Sequence, residues 1–222
     1  PAPKRSQVEI IYAAVRYPDE IVDTFTMPAG AKLAMLDAWE RSYVESLQYS
    51  GVTSSLAAGV PWILAAFSEV VRKAEIPAIH YLSFLDAMRR DLHPRPFRNL
   101  DDLIQNYVHG SAIVVGYFLA HVYGTATGVA MRDVYRVAAN LGIALQLTNF
   151  ARDVVEDRRR GRMYIPSDMV NAPGLDQAIV ELAEHAEERY DTASRSVDVF
   201  ASDSRPAIRA CIDVYRLLNQ RI

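Results

Sequence analysis

Two pairs of aspartates mark the chain, each pair four residues apart and each at the polar end of an apolar run. Asp19 and Asp23 close the stretch IIYAAVRYPDEIVDTF, residues 10–25. Asp153 and Asp157 lie within ALQLTNFARDVVEDRRRGRMYIP, residues 144–166. Side chains four apart share one helix face, so Leu145, Asn149, Asp153 and Asp157 form a line about 18 Å long at a rise of roughly 1.5 Å per residue. The line begins apolar and ends in oxygen ligands. Two aspartates at this spacing repel, and near a helix C-terminus they also oppose the dipole, so something cationic should compensate. Arg158, Arg159, Arg160 and Arg162 offer one answer, an exposed and salt-bridged helix end. A divalent cation offers another. Carboxylate oxygens suit Mg²⁺, which keeps several waters and binds one or two carboxylates together with substrate phosphates. An arginine accompanies each pair, Arg16 at the first and Arg152 at the second.

The elements that must hold these groups read at helical period almost throughout, and alternating strand patterns are hard to find. The periodicity predicts helices at 4–25, 28–49, 59–75, 77–92, 99–123, 129–160, 174–201 and 204–222. Breakers fall between them, at Pro28 to Gly30, Gly59 and Pro61, Pro77, Pro94 to Pro96, Gly124 to Gly128, Pro173-Gly174 and Pro206. Asp101 and Asp102 follow Asn99, where carboxylates suit the positive end of a new helix. Pro18 falls inside the first helix, where it removes a donor and disturbs the carbonyl of Ala14. That predicts either a kink beside the acidic pair or a helix restarted by proline. Ala112, Gly116 and Ala120 recur every four residues, a small-residue line that would either leave room for a ligand or let helices approach closely. With more than six helices and no linker, the chain reads as one large all-α bundle over residues 1–222.

Composition narrows the class further. The 222 residues are half apolar and carry a formal charge of −3, which gives no electrostatic case for a nucleic-acid partner. The single cysteine, Cys211, excludes an internal disulfide framework and fits a reducing compartment, so a cytoplasmic location is expected. No apolar run is long enough to span a bilayer, and no signal peptide opens the chain. The five histidines lack zinc-ligand spacing. Glu184, Glu187, Glu188, Arg189 and Asp191 read as a solvated helical face. No glycine-rich phosphate loop or dinucleotide fingerprint occurs. The oligomeric state is not legible in these residues.

The stretch LGIALQLTNFARDVVEDRRRGRMYIP resembles the second aspartate-rich motif of the squalene and phytoene synthases, and IIYAAVRYPDEIVDTF resembles their first. PAPKR at the start, FLDAMRRDL at 84–92, YVHGSAIVVG at 107–116 and AIRACIDVYRLL at 207–218 occur in the family's order. The resemblance implies an all-α fold of the isoprenoid synthase type with a central cavity, across which the two motifs face each other. It also implies that the parent chain continues shortly beyond both ends of this one. By the same resemblance Asp19, Asp23, Asp153 and Asp157 are the catalytic and metal-binding carboxylates, with Asn149 beside them as a further metal ligand. Arg16, Arg152, Gln146, Asn149, Tyr107 and Tyr215 are then the substrate-binding residues, with Tyr107 or His109 at the place of a cavity tyrosine. The first motif departs from the usual Asp-Asp, reading Asp19-Glu20.

The activity implied is a Mg²⁺-dependent prenyl transfer, with Mn²⁺ as a substitute ion. Two geranylgeranyl or farnesyl diphosphates join head to head through a cyclopropyl diphosphate, giving a C40 or a C30 hydrocarbon. The GSAIVVG segment resembles carotenoid-pathway members, which favours phytoene over squalene or dehydrosqualene. NADPH enters only for squalene. So apolar a product predicts peripheral membrane contact. Two other readings stay open here, a non-catalytic assembly protein that retains the fold and a terpene cyclase acting on one chain.

Overall fold

Helical periodicity carries into the structure almost element for element. The computed structural model describes residues 2–171 and 174–222, so the breaker at Pro173 and the opening Pro1 lie outside the described residues. Eleven α-helices are described: α1 (Ala2–Asp23), α2 (Ala29–Ser46), α3 (Val52–Ala57), α4 (Trp62–Lys73), α5 (Ala78–Asp91), α6 (Leu100–Leu103), α7 (Val114–Tyr123), α8 (Met131–Arg159), α9 (Ser167–Asn171), α10 (Leu175–Ser194) and α11 (Arg205–Asn219). A π segment, Ile104–Ile113, joins α6 to α7, and a 3₁₀ turn, Val197–Val199, comes after α10. Among the described residues there is no strand, only a single bridge between Thr125 and Phe200. None of the described helices is long and apolar enough to cross a membrane. The helices group into two units, one ending at His93 and one running from Pro94 to Ile222.

In the first unit α1 turns Ile11, Ala14, Ile21 and Val22 inward, all nearly or fully buried. It packs on α2, α4 and α5. The core beneath is aromatic, with Tyr81 4.6 Å from Tyr43 and 4.7 Å from Phe67 between ring centres. α1 runs through Pro18 without ending. Proline has no N–H to offer the carbonyl one turn back, that of Ala14. The Tyr81 hydroxyl takes its place, donating to Ala14 O at 2.6 Å, while Trp39 Nε1 donates to the same hydroxyl at 2.8 Å. The defect that proline makes beside Asp19 is thus repaired from α5. Tyr81→Phe leaves the Ala14 carbonyl buried and unsatisfied, a loss of about 2 kcal/mol. Thermal unfolding should show it as a drop of roughly 6 °C.

The second unit opens as the sequence predicts, with the Asn99 side chain accepting from Asp102 N–H at 2.8 Å to cap α6. The predicted helix 99–123 is continuous, but its winding changes. Through Ile104–Ile113 the bonds skip one residue further than in an α-helix, as in Val114 N–H to His109 O. The end of this segment and α7 together cross α8 at a very small separation. A Cβ placed on Gly116 would lie 2.9 Å from Ala138 O, and one on Gly142 would lie 3.1 Å from Ala112 O. Close approach is therefore one role of the small-residue line, and fully buried Ala120 continues it.

α8 is the longest helix, and α10 packs along it. Buried Thr148 ties three helices together: its hydroxyl donates to Ala144 O, lies 2.9 Å from the Tyr190 hydroxyl, and reaches Asn219 Oδ1 at 3.2 Å. Asn219 in turn donates to Ala183 O. Part of the face predicted as solvated is paired instead, since Arg216 of α11 bonds both Glu187 and Asp191 of α10. These bonds fix α11, which carries Tyr215, against the rest of the unit.

Candidate active site

The last turns of α1 gather the first acidic group. Asp19 and Asp23 stand one turn apart, and Arg16 bonds Asp19 at 2.7 Å and also pairs with Glu20. Glu20 thus serves as an arginine partner at the position where the motif departs from its usual form. The Asp19 carboxyl is pushed up to about 6, chiefly by burial and then by the charge of Asp23; Arg16 opposes this, and Glu20 and Asp91 add to it. A carboxylate so strained by its neighbours is a good place for a further cation. Asp91, at the end of α5, joins this field from 72 positions away, and no spacing in the sequence signals it.

In the second unit α8 runs from an apolar cavity into the second acidic group. The cavity measures about 250 Å³. Leu119, Leu141, Leu145, Phe200 and Ile208 form its greasy wall, and Ala112 and Gly116 add small residues to it. The small-residue line therefore serves both roles that the sequence left open. Gln146, Asn149 and Tyr215 supply the polar end. Asn149 Oδ1 is buried with no hydrogen-bond partner, and so is Ser111 Oγ on the same wall. An orphaned acceptor in such a place is poised for a ligand.

One turn further along α8, Asp153 is half-exposed and held by Arg152 through two bonds of 2.6 and 2.5 Å. Arg152 is stabilised as a cation first by that contact with Asp153, with Tyr215 and Asp157 adding to it. Arg152, Asp153, Asp157 and Tyr215 therefore form one electrostatic cluster next to the cavity. The arginine run beyond is divided: Arg159 and Arg160 reach Glu156, and Arg162 is buried.

Tyr107 and His109 are placed differently from the rest. Neither lines the cavity. His109 is exposed, whereas Tyr107 is buried in a stack with Phe150 and Tyr164, its hydroxyl 3.2 Å from that of Tyr164. The partnership with Tyr164, 57 residues on, carries no local signal. Cys211 lines the cavity as well, its thiol pushed up by burial, which makes it a packing group rather than a nucleophile.

Comparison with known proteins gives the same direction from an independent source. The family model described as squalene/phytoene synthase matches residues 1–222. A 15-cis-phytoene synthase of Paracoccus sp. (strain N81106 / MBIC 01143) is 28% identical over 236 residues, covering 98% of this chain and 73% of that one. The chloroplastic phytoene synthase 3 of Zea mays is 35% identical over 181 residues, covering 80% of this chain and 40% of its own length. Among solved structures, a dehydrosqualene synthase crystallised in complex with ligand superposes with a TM-score of 0.80 at 24% identity, over 97% of this chain and 75% of that one.

Proposed function

The chain belongs to the squalene/phytoene synthase family, and from that premise we propose that it joins two prenyl diphosphates head to head into phytoene. Its fold is the all-α isoprenoid-synthase fold. The route is a cyclopropyl diphosphate, with geranylgeranyl diphosphate as substrate; farnesyl diphosphate and a C30 product are the shorter version. The observation that carries this reading is the course of α8, which leaves a greasy cavity at Leu145 and passes the unpartnered Asn149 oxygen. It then presents Asp153 and Asp157 beside Arg152. A hydrocarbon tail and an anionic head need these two surroundings in this order.

The residues fit a divalent ion, Mg²⁺ or Mn²⁺ in its place. Asp19 and Asp23 on the first unit, and Asp153, Asp157 and Asn149 on the second, are the groups that would hold metal. Among the described residues no three His, Cys, Asp or Glu side chains are arranged to hold an ion alone. A carboxylate pair that shares its ion with substrate phosphates needs no third. When bound, the ion supplies Lewis-acid charge that neutralises a departing diphosphate.

The chain's own groups do the rest. Arg16 and Arg152, which rest on Asp19 and Asp153, are the donors that would bind the diphosphate oxygens. Tyr215, beside Arg152, adds a hydroxyl donor to the same anion. Gln146 orients the chain where the cavity becomes polar. Ionisation leaves an allylic cation, and Leu119, Leu141, Leu145 and Phe200 keep water from it. Tyr107, its hydroxyl paired with that of Tyr164 and its ring packed near Phe150, stands outside the cavity lining. The second prenyl chain's double bond attacks the cation, and proton loss closes the three-membered ring.

The test is product identity. The purified chain with geranylgeranyl diphosphate and Mg²⁺, without NADPH, should yield phytoene, and metal removal should stop it. A product containing one prenyl chain would overturn the proposal in favour of a cyclase. Full activity in Asp153→Ala would overturn the assignment of the second acidic pair.

A further inference from the structure

The turn of α1 that carries Asp19 and Asp23 starts on Pro18, and it is held from other helices at both of its ends. At the near end the Tyr81 hydroxyl of α5 supplies the bond that proline cannot, to Ala14 O at 2.6 Å, and accepts from Trp39 Nε1 at 2.8 Å. An indole nitrogen only donates, and a phenolic hydroxyl carries a single hydrogen. The direction of this chain is therefore fixed: Trp39 donates, and Tyr81 must give its one hydrogen to Ala14. The same Trp39 ring lies 4.3 Å from the ring of Tyr17, the residue before Pro18. At the far end Lys32 Nζ of α2 donates to Val22 O at 2.6 Å, one of the carbonyls that a helix leaves without a partner at its C-terminus.

Stability alone gives no reason for this arrangement. Proline carries the largest penalty of any residue inside a helix, whereas any other residue at position 18 would bring its own N–H to Ala14 O. A hydroxyl from α5 supplies that one bond and leaves the crowding of the proline ring in place. What the pair does supply is direction. Proline tilts the segment that follows it, because its ring presses on the carbonyl one turn back. That carbonyl belongs to Ala14, which is fully buried, and the Tyr81 that grips it keeps 1% of its surface. Neither can shift without disturbing the close-packed rings of Tyr43 and Phe67. The direction of α1 is thereby pinned to the core one residue before the first carboxylate.

We propose that Tyr81 is a positioning residue of the first acidic group: through the Ala14 carbonyl it fixes the angle at which the turn from Asp19 to Asp23 presents its carboxylates to a divalent ion. The inference rests on the reading of that pair as metal ligands. Tyr81 acts through the backbone of α1, not by touching the ion.

The test is a cycle of four proteins, the wild type, Tyr81→Phe, Pro18→Ala and the double variant, each kept well below its melting temperature. The full chain is titrated with Mn²⁺ in the presence of inorganic pyrophosphate, and amide exchange over residues 19–25 is followed without metal. Tyr81→Phe should weaken Mn²⁺ binding about tenfold, the scale of losing a group that orients a metal ligand. It should also speed exchange in the turn. Pro18→Ala restores an N–H to Ala14 O, so in that background Tyr81→Phe should change the Mn²⁺ affinity by less than about twofold. Two results would overturn the proposal. One is unchanged Mn²⁺ affinity in Tyr81→Phe despite its lower melting temperature, which leaves the hydroxyl a packing role only. The other is an equal loss of affinity in both backgrounds, which means that Tyr81 does not act through Ala14. Asp19→Asn, run beside them, separates this from the reading beneath it. Weak binding there with normal binding in Tyr81→Phe removes the positioning role alone, whereas normal binding in Asp19→Asn removes the metal-ligand reading and the proposal with it.

Discussion

Asp19→Asn is expected to abolish turnover and, in the metal-free protein at neutral pH, to raise the melting temperature. The two effects share a cause. Burial first, and then the negative field of Asp23, Glu20 and Asp91, lifts the Asp19 carboxyl from 3.8 to about 6. A folded carboxyl that holds its proton more tightly than the unfolded one stabilises the fold at low pH. That stability is fully present below 3.8 and is lost as pH rises toward 6, so above 6 the ionised group works against folding. Asparagine mimics the protonated state and removes the burden. Asp19 keeps 36% of its side-chain surface, so solvent screens much of the repulsion. After that discount the gain is about 1 kcal/mol, or roughly 3 °C. Melting curves in chelator should show the gain near pH 7.5 and none near pH 4. Product formation should fall at least about a thousandfold, the scale of losing a ligand that stabilises leaving-group charge. A variant that is merely unstable would lose both activity and melting temperature, so the opposite signs identify the carboxylate's role.

The second large effect is expected at the crossing of α7 and α8. In Gly116→Ala the new methyl would lie 2.9 Å from Ala138 O, closer than a Cβ can approach a carbonyl oxygen. Two effects compete. Alanine favours a helix over glycine by about 1 kcal/mol. Overpacking costs about 1–3 kcal/mol when the neighbour can yield, and toward the upper end when it cannot. Here the neighbour is backbone in the middle of a long helix, so the clash wins and a net loss of roughly 2 kcal/mol is expected. The melting temperature should drop by about 6 °C. Because Gly116 and Ala138 both line the cavity, the helices can separate only by reshaping its wall. Gly142→Ala meets Ala112 and Ile113 backbone at 3.1–3.3 Å and should behave alike. An unchanged melting temperature in both variants would show that the two helices yield easily at their crossing.

How much of this is legible in the sequence depends on the distance over which each signal acts. The line from Leu145 to Asp157 can be read because a helix repeats its faces every three to four residues, and α8 runs unbroken from Met131 to Arg159. Asn99 is legible as a cap for the same local reason. α3 and α9 escape the periodicity, since six and five residues give too few turns for a period to emerge. The fate of Pro18 cannot be read locally. The hydroxyl that completes its turn comes from Tyr81, 67 residues beyond Ala14. Asp91 beside Asp19, Tyr164 beside Tyr107 and Arg216 beside Glu187 and Asp191 are likewise meetings between distant segments. The charged face of α10 reads as solvated because its pairing partner lies on another helix.

The π segment Ile104–Ile113 has one last consequence, for insertions and deletions. A stretch wound with one residue more per turn has the geometry left by an inserted amino acid that neighbouring packing would not let the helix expel. Deleting a single position from it would restore ordinary winding at little local cost. Because the wider turn absorbs the extra residue, the helices on either side of the deletion would keep their faces. In an ordinary helix the same deletion would turn one side by about 100° relative to the other. This stretch is therefore where the wall of the cavity can accept a change of chain length.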